Sequence, residues 1–186
     1  MAKVYLFLAE GYEEIEGLTV VDLLRRAGID IVTVSITGEL QVTGSHQITT
    51  IADTMFEEMD FADADMLVLP GGMPGTKNLL EHKGLDHLLR EYALSGGKLA
   101  AICAAPRVLG TKGLLMGRKA TCYPGNEDAL LGAHVVNVAV VQDGNITTSK
   151  GMGTAIDFSL SLIKTLKSGE EASRIAQAIQ YQYYSE

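Results

Sequence analysis

The sequence holds little cysteine, no long apolar run, no excess of basic charge and no internal repeat, and each shortage removes a class of protein. Only two cysteines, Cys103 and Cys122, occur in 186 residues. Their contexts are unrelated, so no disulfide framework can be built, which fits a reducing cytoplasm. No apolar stretch approaches the roughly 20 residues that a bilayer-spanning helix requires. The start, Met1 to Glu10, is too short for a signal sequence and reads as a first strand. Acids outnumber bases 23 to 15, a net charge of −8, which argues against nucleic acid as the main partner and for a small molecule or protein. The histidines His46, His82, His87 and His134 lack metal-ligand spacing with either cysteine, so no metal is expected. Gly151-Met-Gly153-Thr154 opens a helix in the manner of a phosphate cradle. It lacks both the lysine-plus-hydroxyl of a P-loop and the third glycine of a dinucleotide motif, so no nucleotide cofactor is expected.

What is present is an alternation of strand and helix patterns over one domain, residues 1–186. Apolar runs at Val4–Leu8, Ile31–Ile36, Met66–Leu69, Leu99–Ile102 and Asn145–Thr148 are separated by helical periodicity. They predict an α/β fold, a mainly parallel sheet with helices on both faces. Glu13–Ala27 is the clearest predicted helix: Ile15, Leu18, Val21 and Leu24 share a stripe, acids come first, arginines last, and Gly28 stops it. Gln41–Ile51 alternates and predicts a small antiparallel excursion. Val135–Val141 and Asn145–Thr148, joined by Asp143-Gly144, predict a hairpin. His134 is expected beside that hairpin. Tyr181, Tyr183 and Tyr184 are expected to pack or to serve an interface.

The chemistry centres on Lys98 to Arg107. Leu99–Ile102 is a short buried strand, Ala105 begins a helix, and Cys103 stands at the turn between them. Ala101 and Ala105, two places to either side, leave the room that a tight nucleophile elbow needs. The helix start aims N–H groups at the sulfur and favours thiolate; the alternative is an inert buried cysteine. Gly71-Gly72 either brings backbone N–H groups to a ligand, forming an oxyanion pocket with the N–H of Ala104, or is a plain turn. Glu16 is a candidate to share a proton with the thiol, yet spacing alone does not choose among Glu13, Glu14 and Glu16. All three segments fall beyond the carboxyl ends of strands, where open α/β sheets bind ligands.

Four motifs carry a resemblance: Gly11-Tyr-Glu-Glu-Ile-Glu16, Leu69-Pro-Gly-Gly72, Ala100-Ala-Ile-Cys103-Ala-Ala-Pro106 and Gly151-Met-Gly-Thr-Ala-Ile-Asp-Phe158. In this order they resemble the DJ-1/ThiJ/PfpI superfamily, and within it the DJ-1-like branch that includes bacterial ThiJ/YajL proteins. The resemblance implies a flavodoxin-like three-layer sandwich and a homodimer. It implies Cys103 as the oxidation-sensitive cysteine and Glu16 as its carboxyl partner. Gly72 and Ala104 would be the backbone donors, and Gly71, Arg26, His46 and Tyr123 would line the site. Its activities are cofactor-independent conversion of methylglyoxal-type dicarbonyls, deglycation, chaperoning and peroxide response. Tyr123 stands where many members carry a histidine, and His46 where an arginine is usual. Without that imidazole a Cys–His protease is disfavoured. The expectation is therefore a cytoplasmic stress-protection protein with slow glyoxalase or deglycase chemistry; the alternative is an efficient dedicated glyoxalase.

Overall fold

A computed structural model describes residues 2–183. Seven strands form the central sheet, in the order β10-β11-β7-β6-β1-β2-β5. Its middle consists of β1 (Lys3–Leu8), β2 (Asp30–Ser35), β6 (Met66–Leu69) and β7 (Lys98–Ile102). These run parallel, with Val4 opposite both Ile31 and Met66, and Leu67 opposite Leu99. Short β5 (Thr54–Met55) closes one edge, while β10 (Val140–Asp143) and β11 (Ile146–Ser149) form the antiparallel hairpin at the other.

The period of two along each strand divides the core. Val4, Leu6 and Leu8 of β1 face one layer, made of α1 (Glu14–Arg26), α5 (Ala155–Leu166) and α6 (Gly169–Ala178). Val20 and Leu24 of α1 meet Phe158 and Leu162 of α5 there, all fully buried. Tyr5 and Phe7 face the opposite layer, with Leu79 of α2 (Gly75–Glu81), Leu85 and Leu89 of α3 (Lys83–Leu94), and Val108 of α4 (Pro106–Thr111). Full burial of each such Leu or Phe contributes about 1.5–3 kcal/mol, so both layers hold the sheet firmly.

The excursion predicted at Gln41–Ile51 is the antiparallel pair β3 (Gln41–Thr43) and β4 (Thr49–Ile51). One element differs from the sequence reading. The run Val135–Val141 does not form a single strand: β9 (His134–Val135) pairs in parallel with β8 (Lys119–Ala120), and only β10 pairs with β11. The split arises because Thr121 Oγ1 donates to Val138 O and Ser149 Oγ to Ala139 O, side-chain bonds that turn the chain between the two pieces. Tyr181 donates to Asp157 and stacks edge-on with Tyr183, so those two tyrosines tie the chain end to α5; Tyr184 lies outside the described residues. No described helix is long and apolar enough to cross a membrane.

Candidate active site

The carboxyl ends of β1, β6 and β7 lie side by side, and the chain leaves each in a different turn. After β7, Cys103 adopts φ +66°, a left-handed conformation that is uncommon for a residue with a Cβ. The fold fixes it there: Cys103 N–H donates to Ser149 O (2.9 Å), Tyr123 N–H donates to Cys103 O (2.7 Å), and Ala105 N–H closes the turn on Ile102 O (3.0 Å). Pro106, in the first turn of α4, needs no N–H acceptor. The elbow inferred from small neighbours is thus a backbone fact, and Cys103 is partly exposed.

Glu16 lies in the first turn of α1 and is fully buried. Its Oε2 accepts from Gly71 N–H at 2.8 Å, while Oε1 has no conventional hydrogen-bond partner among the described residues. The Cys103 thiol is the group beside it with which the carboxyl interacts. Burial raises the Glu16 pKa to about 7, against the pull of Cys103 and the Gly71 N–H, and Glu13 adds to the rise. Burial likewise raises the Cys103 thiol to about 12, reinforced by the charge and hydrogen bond of Glu16. The backbone N–H groups of Ala104 and Gly72 act the other way and favour the anionic sulfur.

The expectation of a sulfur ionised by the helix start alone is therefore not met. Desolvation next to an ionised acid outweighs the N–H groups. The two groups titrate as a pair: below about 7 they hold two protons, and above it they share one. While Glu16 is protonated, its charge no longer opposes the thiolate.

Close approach shapes the pocket as much as charge does. A Cβ at Gly71 would lie 2.6 Å from Glu16 Oε2 and 2.7 Å from Cys103 Cβ. Gly72, at φ +89°, presses on the Glu13 amide, and Gly75 has Tyr12 N only 2.6 Å from where a Cβ would be. Glu13 N–H donates to Gly71 O (2.9 Å) and Gly75 N–H to Gly11 O (3.1 Å), so the loop before α1 interlocks with the loop after β6.

Of the residues expected to line the site, Gly71 and Tyr123 lie at it, with the half-exposed Tyr123 ring packed at Gly151. His46 sits on the turn between β3 and β4 and bonds to Glu14 (3.0 Å) rather than to the thiol. Arg26 does not reach the Cys103–Glu16 pair within its own chain. It stands at the far end of α1, ten residues and about 15 Å of helix from Glu16, and pairs with Asp22 at 2.7 Å. Cys122 belongs to the core on the other face of the sheet from the one against which Cys103 packs. Nothing in the sequence marked Glu14 as the residue that gathers the 44–48 turn, because its partners lie more than thirty residues away. A wide groove of about 750 Å³, lined by Phe61, Leu88, Tyr92 and Lys98, lies at the opposite end of the sheet.

The elbow, the interlocked loops and the buried acid now stand together, and the matches agree with them. Residues 2–165 match the DJ-1/PfpI family. The chain belongs to that family. The DJ-1 homolog B of Arabidopsis thaliana is 38% identical over 176 residues, covering 94% of this chain and 40% of the relative. The DJ-1 homolog A of the same plant is likewise covered only to 45%, so the chain spans less than half the length of these two curated relatives. A deglycase of Pyrococcus abyssi is 31% identical over 167 residues, covering 89% of this chain and 99% of the relative. Among solved structures, oxidized DJ-1 of Toxoplasma gondii superposes with a TM-score of 0.94 at 35% identity, covering 98% of this chain and all (100%) of the other. The sheet order and the three layers are those of the DJ-1 flavodoxin-like fold.

Proposed function

We propose that this DJ-1/PfpI family member is a cytoplasmic stress-protection protein. In this reading Cys103 and Glu16 react with small carbonyl compounds and oxidants, and slowly convert methylglyoxal-type dicarbonyls or early glycation adducts without a cofactor. One observation carries the reading: a fully buried carboxyl stands beside a cysteine at a left-handed elbow and interacts with its thiol. The similarity to a deglycase supports the substrate class. Exposed Ile15 and Leu18 on α1 support a homodimer.

In the proposed reaction the Cys103 sulfur adds to the aldehyde carbon of methylglyoxal. Its proton passes through Glu16 to the carbonyl oxygen, which the Gly72 and Ala104 N–H groups receive. Glu16 then removes the proton from the hemithioacetal carbon and returns it to the neighbouring carbon, while the hydroxyl proton passes to the former ketone oxygen. The aldehyde carbon is thereby oxidised to a thioester as the ketone is reduced to an alcohol. Water cleaves the thioester, releasing lactate and restoring the thiol. Tyr123 supplies no imidazole, and the missing general base is worth about 10²–10⁴-fold in rate, hence a slow reaction.

Lactate formation should be measurable in the native protein and fall to background in both Cys103→Ser and Glu16→Gln. Absence of turnover in the native protein overturns the catalytic part. The oxidant arm has its own support in the two N–H groups that favour anionic sulfur. Mild peroxide would convert the thiol to a sulfenic acid with loss of water. Mass spectrometry should find oxygen on the partly exposed Cys103 before the buried Cys122. Equal uptake at both would remove that arm.

A further inference from the structure

Glu14 lies in the same helical turn as Glu16, is equally hidden from solvent at 2% exposure, and faces away from the sulfur. Its carboxylate gathers the turn between β3 and β4. Oε1 accepts from His46 N–H (2.8 Å) and Ile48 N–H (3.4 Å), and Oε2 meets His46 Nδ1 (3.0 Å) and Ser45 Oγ (3.3 Å). Gly44 lies so close that a Cβ there would overlap the Glu14 carboxyl. The same β-turn grips the loop before α1 through Gly11 N–H to Thr43 O (2.8 Å), Ser45 N–H to Tyr12 O (2.8 Å) and Tyr12 Oη to Thr50 Oγ1 (2.6 Å). From the other side, Gly71 O holds Glu13 N–H and Gly71 N–H holds Glu16. The start of α1 is therefore clamped between the 41–51 hairpin and the loop after β6.

We propose that Glu14 is a positioning residue for the Cys103–Glu16 pair: by fastening the 41–51 hairpin onto the first turn of α1, it holds the Glu16 carboxyl dry and in register with Gly71 and the thiol. This deepens the reading of the site given above and rests on it. No part of it requires Glu14 to touch a substrate. The hairpin acts as the clamp, and Glu14 is its fastening. Loss of the fastening lets water reach the first turn, and Glu16, raised to about 7 by burial, relaxes towards an ordinary carboxyl. Among the described residues, the charged or titratable neighbours of Glu14 and the turn are Tyr12, Glu13 and His46, and those of Glu16 are Cys103 and Glu13.

Glu14→Asp tests this directly. It retains the charge but withdraws the carboxylate by about one bond length, beyond hydrogen-bond reach of the hairpin. The readout is the pH profile of Cys103 alkylation by iodoacetamide, followed by mass spectrometry with Cys122 as internal reference. Alkylation requires no turnover, so a protein that fails to convert methylglyoxal still decides the matter. The step assigned to the pair should move to lower pH by about half a unit or more. Leu89→Ala, in the opposite core layer, serves as a control for general destabilisation and should leave the midpoint in place. If Glu14→Asp does not fold, the double variant Ser45→Ala/His46→Ala, which leaves Glu14 intact and removes its side-chain donors, is judged by the same shift. An unmoved midpoint in the variant that folds, or an equal shift in Leu89→Ala, overturns the proposal.

Discussion

Glu14 and Glu16 are two residues apart on one helix and equally buried, yet their environments drive them in opposite directions. Burial pushes both towards the neutral form. At Glu14, hydrogen bonds from its own backbone, from the His46 side chain and backbone, and from Ile48 outweigh burial and hold the carboxyl below its ordinary value. At Glu16, the Gly71 N–H and the thiol do not suffice, and the pKa rises to about 7. Position in the chain cannot distinguish these fates. The number of donors that distant segments deliver to each carboxyl does, and it separates a carboxylate held ionised from one pushed towards its neutral form.

The contrast can be tested through stability. Glu16 titrates higher in the folded than in the unfolded chain, so its contribution is complete below the unfolded value of 4.5 and is lost as pH rises through about 7. The interval corresponds to about 3 kcal/mol. Glu16→Gln should therefore gain on the native protein between pH 4.5 and 7 in urea titrations, and parallel curves would refute the assignment. Next in size is Gly71→Ala, whose methyl displaces Glu16 and Cys103 together; methylglyoxal turnover should fall by about 10²-fold.

Glu14→Gln should do the opposite of Glu16→Gln. It leaves buried donors poorly matched at a cost of about 1–3 kcal/mol at neutral pH. Because the folded pKa of Glu14 is depressed, its contribution is present above 4.5 and is lost as pH falls through the folded value. The gap between variant and native protein should narrow in acid. The smallest effect belongs to His46→Ala. The hydrogen bond to Glu14 and the charge of Glu13 raise the His46 pKa. Its contribution is complete below the unfolded value near 6.5 and fades as pH rises through the folded one. Melting temperatures of native and variant protein should differ more at pH 5.5 than at pH 8.5.

Much of the fold was legible because its signals are local. The terminal charges and the Gly28 stop predicted the bounds of α1 almost to the residue, although Ile15 and Leu18 of its stripe are exposed, and the apolar runs predicted the parallel strands. The turn at Cys103 was legible from its small neighbours. What stayed hidden depends on contacts between distant segments. Choosing Glu16 over Glu13 and Glu14 needed the loop at Gly71 and the hairpin at 41–51. The thiol's proton affinity needed its burial, and the break at Val135–Val141 needed the hydroxyls of Thr121 and Ser149.

Gly72 and Gly75 have a consequence for anyone redesigning the pocket. There, main chain lies directly on main chain, and not even a methyl group fits between the segments. The placement of the two loops is thus set by peptide planes rather than by side chains. Tyr123 or Glu16 can be swapped to seek new chemistry; the crossing of the two loops is the frame that any such variant must inherit unchanged.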